Sequence, residues 1–197
     1  MTDRYDPTAR APSQMRRSRQ RFARDEPWIK GFLKEAAYCT VGTEWDHLPF
    51  LNPTSFWYDE ARQRIVFHSN VNGRVRANVE HNPSVCVSVQ ETGCFLPSNA
   101  PLEVSVQFRG VIVFGAARVI SDPEEARAAL QSLLAKYFPK MRIGTEFQPI
   151  SDADLRRTSV YEILISEWSG KENWPNQAVQ VDSWPQLSVE IMSGGFK

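Results

Sequence analysis

Read for the spacing of apolar and polar positions, the chain opens on a polar stretch and then settles into short alternating runs. Asp25 is placed to cap a helix through Ala36, with Pro27 in the first turn and Trp28, Ile29, Phe32, Leu33 and Ala36 forming one apolar stripe. Such a stripe predicts a helix that plugs a core. From Tyr38 the period falls to two. Strands are expected at residues 38–42, 48–58 and 64–68, with a polar hairpin turn at 59–63, giving an antiparallel meander.

Residues 72–80 read as a short helix after a glycine loop. After Pro83 comes a strand at 84–90, where Val85, Val87 and Val89 alternate with smaller or polar residues. The glycine, proline, serine and asparagine of residues 91–101 predict the longest irregular segment of the domain, lying on the surface. Val104, Val106 and Phe108 begin a long strand that continues through Val111, Val113 and Val119, and Gly110 marks a bulge or a close backbone approach. Asp122-Pro123-Glu124-Glu125 is a capping-box pattern opening a helix with Ala126, Leu130, Leu133, Leu134 and Tyr137 on one face, ended by Pro139. One polar helical turn at 152–157 and a core strand at 160–165 follow, with an edge strand expected around Leu187, Val189 and Ile191. The elements together predict a mainly β, antiparallel barrel with peripheral α-helices.

Composition sets the scale of that barrel. A chain of 197 residues, 42% hydrophobic and 11% aromatic, is long enough to bury a good core as one domain with extensions. The expected division is a flexible basic arm at 1–24, a barrel domain at 25–171 and a C-terminal arm at 172–197. Arg4, Arg10, Arg16, Arg17, Arg19, Arg21 and Arg24 make the first segment basic. Over the whole chain, 23 basic residues balance 23 acidic ones, so no net field draws the molecule to nucleic acid or an anionic membrane. The arginine-rich arm is the one feature pointing to nucleic acid, and neither a recognition helix nor an aromatic-interleaved surface accompanies it. No apolar run is long enough to span a bilayer and no signal-peptide stretch follows the arginines, so a cytoplasmic protein is expected. Cys39, Cys86 and Cys94 are an odd number without C-x-x-C spacing, which predicts buried thiols rather than disulfides or a thiolate metal site. The three scattered histidines add no ligand spacing, so no metal is expected.

The stretch that points to chemistry is Phe67-His68-Ser69-Asn70-Val71-Asn72-Gly73-Arg74-Val75-Arg76-Ala77-Asn78, running from a strand end through a glycine loop into a helix. That geometry suits an anion. With Asn72 as cap, Arg74 falls in the first helical turn, where the positive end of the dipole disfavours a cation unless an anion offsets it. Arg74 and Arg76 are two residues apart and face different sides of a regular helix, which gives Arg74 the greater weight. The same pattern also describes two arginines on a solvated helix surface. His68 likewise has two readings, a group near a reactive ligand or a histidine satisfied by a backbone carbonyl, with no carboxylate nearby to orient it. His47 and His81 read as turn residues.

This stretch, through the Asn82-Pro83 turn, resembles the strand, phosphate loop and helix of the FMN-binding split barrels related to pyridoxamine 5'-phosphate oxidase. Leu51-Asn52-Pro53-Thr54-Ser55-Phe56 and Val106-Gln107-Phe108-Arg109-Gly110-Val111 resemble two further strands of that family. Gly115-Ala-Ala-Arg-Val-Ile-Ser-Asp-Pro and Ser169-Gly170-Lys171 are most similar to a flavin-nucleotide-binding subgroup near the nitroimidazole-resistance proteins. The resemblance implies an antiparallel FMN-binding split β-barrel of Greek-key type. It also implies a homodimer with the flavin at the subunit interface, Phe108 to Gly110 and Trp168 to Lys171 lying near the site. Cofactor contacts would come from Thr54, Ser55, His68, Ser69, Arg74, Arg76 and Lys171, with His68 the candidate nearest the reactive face. Val75 stands where the family usually has a lysine, and Arg76 would compensate. The implied activity is an FMN-dependent oxidoreductase acting on a small oxidised or nitroaromatic molecule. A non-catalytic flavin-binding or sensing module is the alternative, and haem or a deazaflavin are the alternative ligands.

Overall fold

The computed structural model describes residues 22–193. The basic arm therefore lies outside the described residues except at its end, where β1 (Ala23–Arg24) pairs with Lys171 and Gly170. The other strands are β2 (Cys39–Trp45), β3 (Leu48–Thr54), β4 (Trp57–Asp59), β5 (Arg64–Asn70), β6 (Ser84–Leu96), β7 (Ser105–Val119) and β8 (Thr158–Asn173). They form one antiparallel sheet in the order β3-β2-β6-β7-β8-β5-β4. The sheet is not closed, because β3 and β4 remain as edges. The expected antiparallel split barrel with few helices is what the structure shows.

Helix α1 (Glu26–Glu35) starts as the sequence predicts, with Asp25 Oδ1 accepting from the Trp28 N–H at 3.1 Å. Its Ile29, Phe32 and Leu33, with Ala36 just beyond, enter the main core beside Val41, Phe67, Val87, Val111 and Tyr161. The close approach depends on Gly170 of β8, where a Cβ would meet Ile29 Cγ1 at 2.8 Å. Helix α2 (Arg74–His81) buries Val75, Asn78 and Val79. Its Asn78 side chain donates to Thr43 Oγ1 of β2 at 2.9 Å, pinning the helix to that strand. Helix α3 (Pro123–Tyr137) covers β5 and β8 with Ala126, Ala129 and Leu133. Helix α4 (Asp152–Arg157) is the expected polar turn, capped by Ser151.

Several expectations are corrected. The run at 48–58 is two strands, not one. Residues 55 and 56 break it, and β3 and β4 pair at opposite edges of the sheet, so the meander does not form. Residues 91–101 are not irregular throughout. β6 continues to Leu96 because β7 carries it through a register shift between Thr92 and Phe95, with the Cys94 N–H donating to Gln107 Oε1. Of the two readings of Gly110 the close backbone approach holds, a Cβ there meeting the Val89 carbonyl at 3.1 Å, while the bulge of β7 against β8 lies at Phe114/Gly115. Asp122 caps α3 through the Glu125 N–H, but the Glu125 carboxylate does not close the capping box, because it accepts from Arg62 and Arg64 instead. The expected edge strand at 187–191 is replaced by a short helix, α5 (Val189–Ser193). Of the three cysteines only Cys39 is buried. Cys86 is half-buried and Cys94 is exposed on the irregular part of β6.

Candidate functional site

The loop between β5 and α2 is built by local hydrogen bonds. Asn70 Oδ1 accepts from the Asn72 N–H at 2.8 Å, so Asn72 is drawn into the turn and cannot cap the helix. Gly73 takes the cap position with an extended backbone and no side-chain cap bond. Arg74 is therefore the first helical residue. The first turn holds no acidic residue, and Arg74 makes no ion pair among the described residues. Its guanidinium is exposed and lies over the Phe50 ring, 5.7 Å from the centroid. A cation at the positive end of a helix, with free backbone N–H groups beside it, is an arrangement that an anion would stabilise.

Phe50 begins a strip along β3. Phe50, Asn52 and Thr54 share one half-buried face, while Pro49, Leu51 and Pro53 are exposed on the other. From Phe50 to Thr54 this face runs about 13 Å at the usual rise per strand residue. Thr54 and Ser55 stand at its far end, where β3 breaks. The strip could seat an elongated ligand with its anionic end at Arg74.

The remaining predicted residues fall in other places. Arg76 turns away from Arg74, to Glu80 and to Ser159 Oγ at 3.0 Å. Ser69 lies across the paired strand from Ser159, and its Oγ meets Tyr161 Oη at 3.0 Å. Arg76 and Ser69 thus share one end of the barrel. His68 projects to the opposite face of β5 from Ser69 and has no hydrogen-bond or ion-pair partner among the described residues. Although its residue surface reaches solvent, the surrounding protein desolvates the imidazole and holds its pKa below the ordinary value.

Lys171 lies on β8 and lines a cavity of about 220 Å³ on the face of β6, β7 and β8. Gly110 pairs with Gln90 on one side and Lys171 on the other, so its missing side chain leaves a depression between Phe108 and Ile112. Ser169 Oγ is buried beside it without a hydrogen-bond partner among the described residues. The sequence had pointed to Gly110 and to the stretch holding Ser169 and Lys171, but not to the burial of the Ser169 hydroxyl without a partner among the described residues, nor to Phe50 beneath Arg74. The first depends on cross-strand register and the second on how α2 packs across β2, neither of which local pattern carries. Among the described residues no group of three histidine, cysteine, aspartate or glutamate side chains could hold a metal ion, and no helix is long and apolar enough to cross a membrane.

The family model described as pyridoxamine 5'-phosphate oxidase matches residues 25–172. No curated protein matches. Among solved structures, the flavocytochrome Anf3 from Azotobacter vinelandii shares 24% identity over 88% of this chain and 79% of its own, with a TM-score of 0.76. The FAD and heme binding protein from Mycobacterium smegmatis shares 21% identity over 87% of this chain and 79% of its own, with a TM-score of 0.68. A Bacteroides thetaiotaomicron protein assigned to 5-nitroimidazole antibiotic resistance shares 22% identity over 75% of this chain and 83% of its own, with a TM-score of 0.62. At these identities the likeness is one of fold.

Proposed function

The chain belongs to the pyridoxamine 5'-phosphate oxidase family, and from that premise we propose that it is an FMN-binding oxidoreductase acting on a small oxidised or nitroaromatic molecule. The observation that carries the reading is Arg74. It is a cation without an ion-pair partner among the described residues, at the start of a helix with no acid in its first turn, heading the half-buried face of β3. A flavin phosphate at Arg74 would answer the helix dipole, and Thr54 and Ser55 would meet the ring edge.

A bound flavin supplies hydride and electron chemistry, so the protein's part is binding, orientation and exclusion of water. The cavity at Gly110 offers a second half-site, with Lys171, the buried Ser169 hydroxyl and the apolar walls Phe108 and Ile112. It lies across the sheet from the strip on β3. A homodimer with the flavin at its interface accounts for both, the Arg74 half from one protomer and the Lys171 half from its partner. The exposed Leu48 and Leu51 on β3 supply apolar area for such an interface. Free Cys39, Cys86 and Cys94 accord with a cytoplasmic setting.

Anaerobic addition of NADH or NADPH to the flavin-loaded protein tests the activity. Bleaching of the flavin bands is expected. Flavin that stays bound and oxidised with either donor contradicts turnover and leaves a binding or sensing module. Haem is a second reading, favoured by His68, whose desolvated imidazole has no partner among the described residues. Two of the matched structures are named as a flavocytochrome and a heme binding protein. A Soret band after haem addition, lost in His68→Ala, would support it.

A further inference from the structure

Residues 55 and 56 pose a problem in backbone accounting. β3 pairs with β2 as far as Thr54, and β4 begins its pairing with β5 at Trp57. Between them the chain crosses from one edge of the sheet to the other without ladder partners. Phe56 is nonetheless fully buried, so its N–H and C=O must be satisfied elsewhere.

The last turn of α3 supplies the partners. The Phe56 N–H donates to Tyr137 Oη at 2.9 Å, and the Tyr137 hydroxyl donates to the Ala37 carbonyl at 2.7 Å. Lys136 Nζ donates to the Phe56 carbonyl at 3.0 Å and to the Ala36 carbonyl at 2.7 Å. It also sits 3.8 Å from the centroid of the Phe56 ring. Two consecutive side chains thus fasten the strand break at Ser55-Phe56 to the link between α1 and β2. Thr54, whose strand partner is Cys39, is held between these two fastened points.

We propose that Lys136 and Tyr137 are positioning residues that set the orientation of Thr54 and Ser55 toward the cofactor ring. The proposal rests on the flavin reading above. Among the described residues both side chains spend their hydrogen bonds on Ala36, Ala37 and Phe56 rather than on the strip on β3. They act through the Phe56 peptide, and without them the two polar residues at the ring end lose their fixed direction.

The test is a double-mutant cycle on the full chain, with FMN affinity read by fluorescence quenching and folding by circular dichroism. Lys136→Met and Tyr137→Phe are each expected to weaken FMN binding about tenfold, as for loss of one positioning hydrogen bond. Lys136→Arg, which keeps a donor, restores most of the affinity. In a chain already carrying Thr54→Val and Ser55→Ala, neither substitution weakens binding further, because the groups they orient are gone. Full additivity in that background, or unchanged affinity in a folded variant, overturns the proposal and leaves the flavin reading intact. Failure of the unsubstituted chain to bind FMN overturns both. Tyr137→Phe removes only a hydroxyl and decides the matter where Lys136→Met does not fold.

Discussion

Arg64 on β5 and Glu162 on β8 are diagonal neighbours across paired strands, joined at 2.5 Å with both side chains only 4% exposed. The same guanidinium reaches Asp59 at 3.0 Å and Glu125 at 2.8 Å, and Arg118 reaches the other oxygen of Glu162 at 2.5 Å. One buried cation therefore ties the edge strand β4 and the helix α3 to β5 and β8. Arg64→Leu leaves Asp59 and Glu162 buried without their main partner. It should cost about 3–5 kcal/mol, the usual range for breaking a buried pair from one side. Equilibrium urea unfolding checks this, and a midpoint unchanged from the parent would contradict it.

Gly115 is the second structural test. A Cβ there would run into the Leu164 carbonyl oxygen, a backbone atom that cannot swing aside. Gly115→Ala should destabilise the fold by about 3 kcal/mol through displacement of β7 from β8 at the bulge. Gly31→Ala, whose Cβ meets nothing within 4 Å, is the control and should be neutral or stabilising in thermal denaturation.

Stability should depend on pH in the alkaline range, where Lys136 and the thiols Cys39 and Cys86 pull in opposite directions. Burial lowers the Lys136 amine from 10.5 to about 8, so between these values the unfolded chain binds the extra proton and stability rises with pH. Burial pushes the Cys39 thiol from 9.0 up to about 12, so above 9 the folded state holds the extra proton and stability falls. The expected profile rises from pH 8 to 9, turns over as the Cys39 thiol and the Cys86 thiol, also raised by burial, oppose Lys136, and falls above 10.5. Lys136→Met should abolish the rise and keep the fall. A flat profile from 8 to 9 in the parent would contradict the assignment.

At the anion end, Arg74→Ala should weaken FMN binding by about 1.5–3 kcal/mol, roughly ten- to a hundredfold, as for loss of a charge-assisted hydrogen bond. Arg76→Ala should have a smaller effect, because that side chain is already engaged by Glu80 and Ser159. Titration of both variants with FMN separates the two arginines, and the reverse order would move the phosphate to the other side of α2.

What could be read along the chain was local. The Asp25 cap, the Asp122 cap, the valine alternation of β6 and the helical turn at 152–157 each depend on residues a few positions apart, and each formed as expected. What could not be read depends on partners far away in sequence. The residues at 48–58 alternate as one strand would, and only the pairing of β4 with β5 and the grip of Lys136 and Tyr137 on Phe56 divide them. Residues 91–96 have loop composition, yet a strand partner in β7 holds them in the sheet. At the candidate site, Arg74 was visible from the glycine loop. Phe50 beneath it was not, since their meeting is set by how α2 packs across β2.

Whether this chain holds a flavin is decided by the visible absorption spectrum of the purified protein after adding FMN and desalting. Flavin bands that remain with the protein, and are lost on the same treatment of Arg74→Ala, are the predicted result. A folded parent chain that emerges without flavin absorbance would rule out flavin at Arg74.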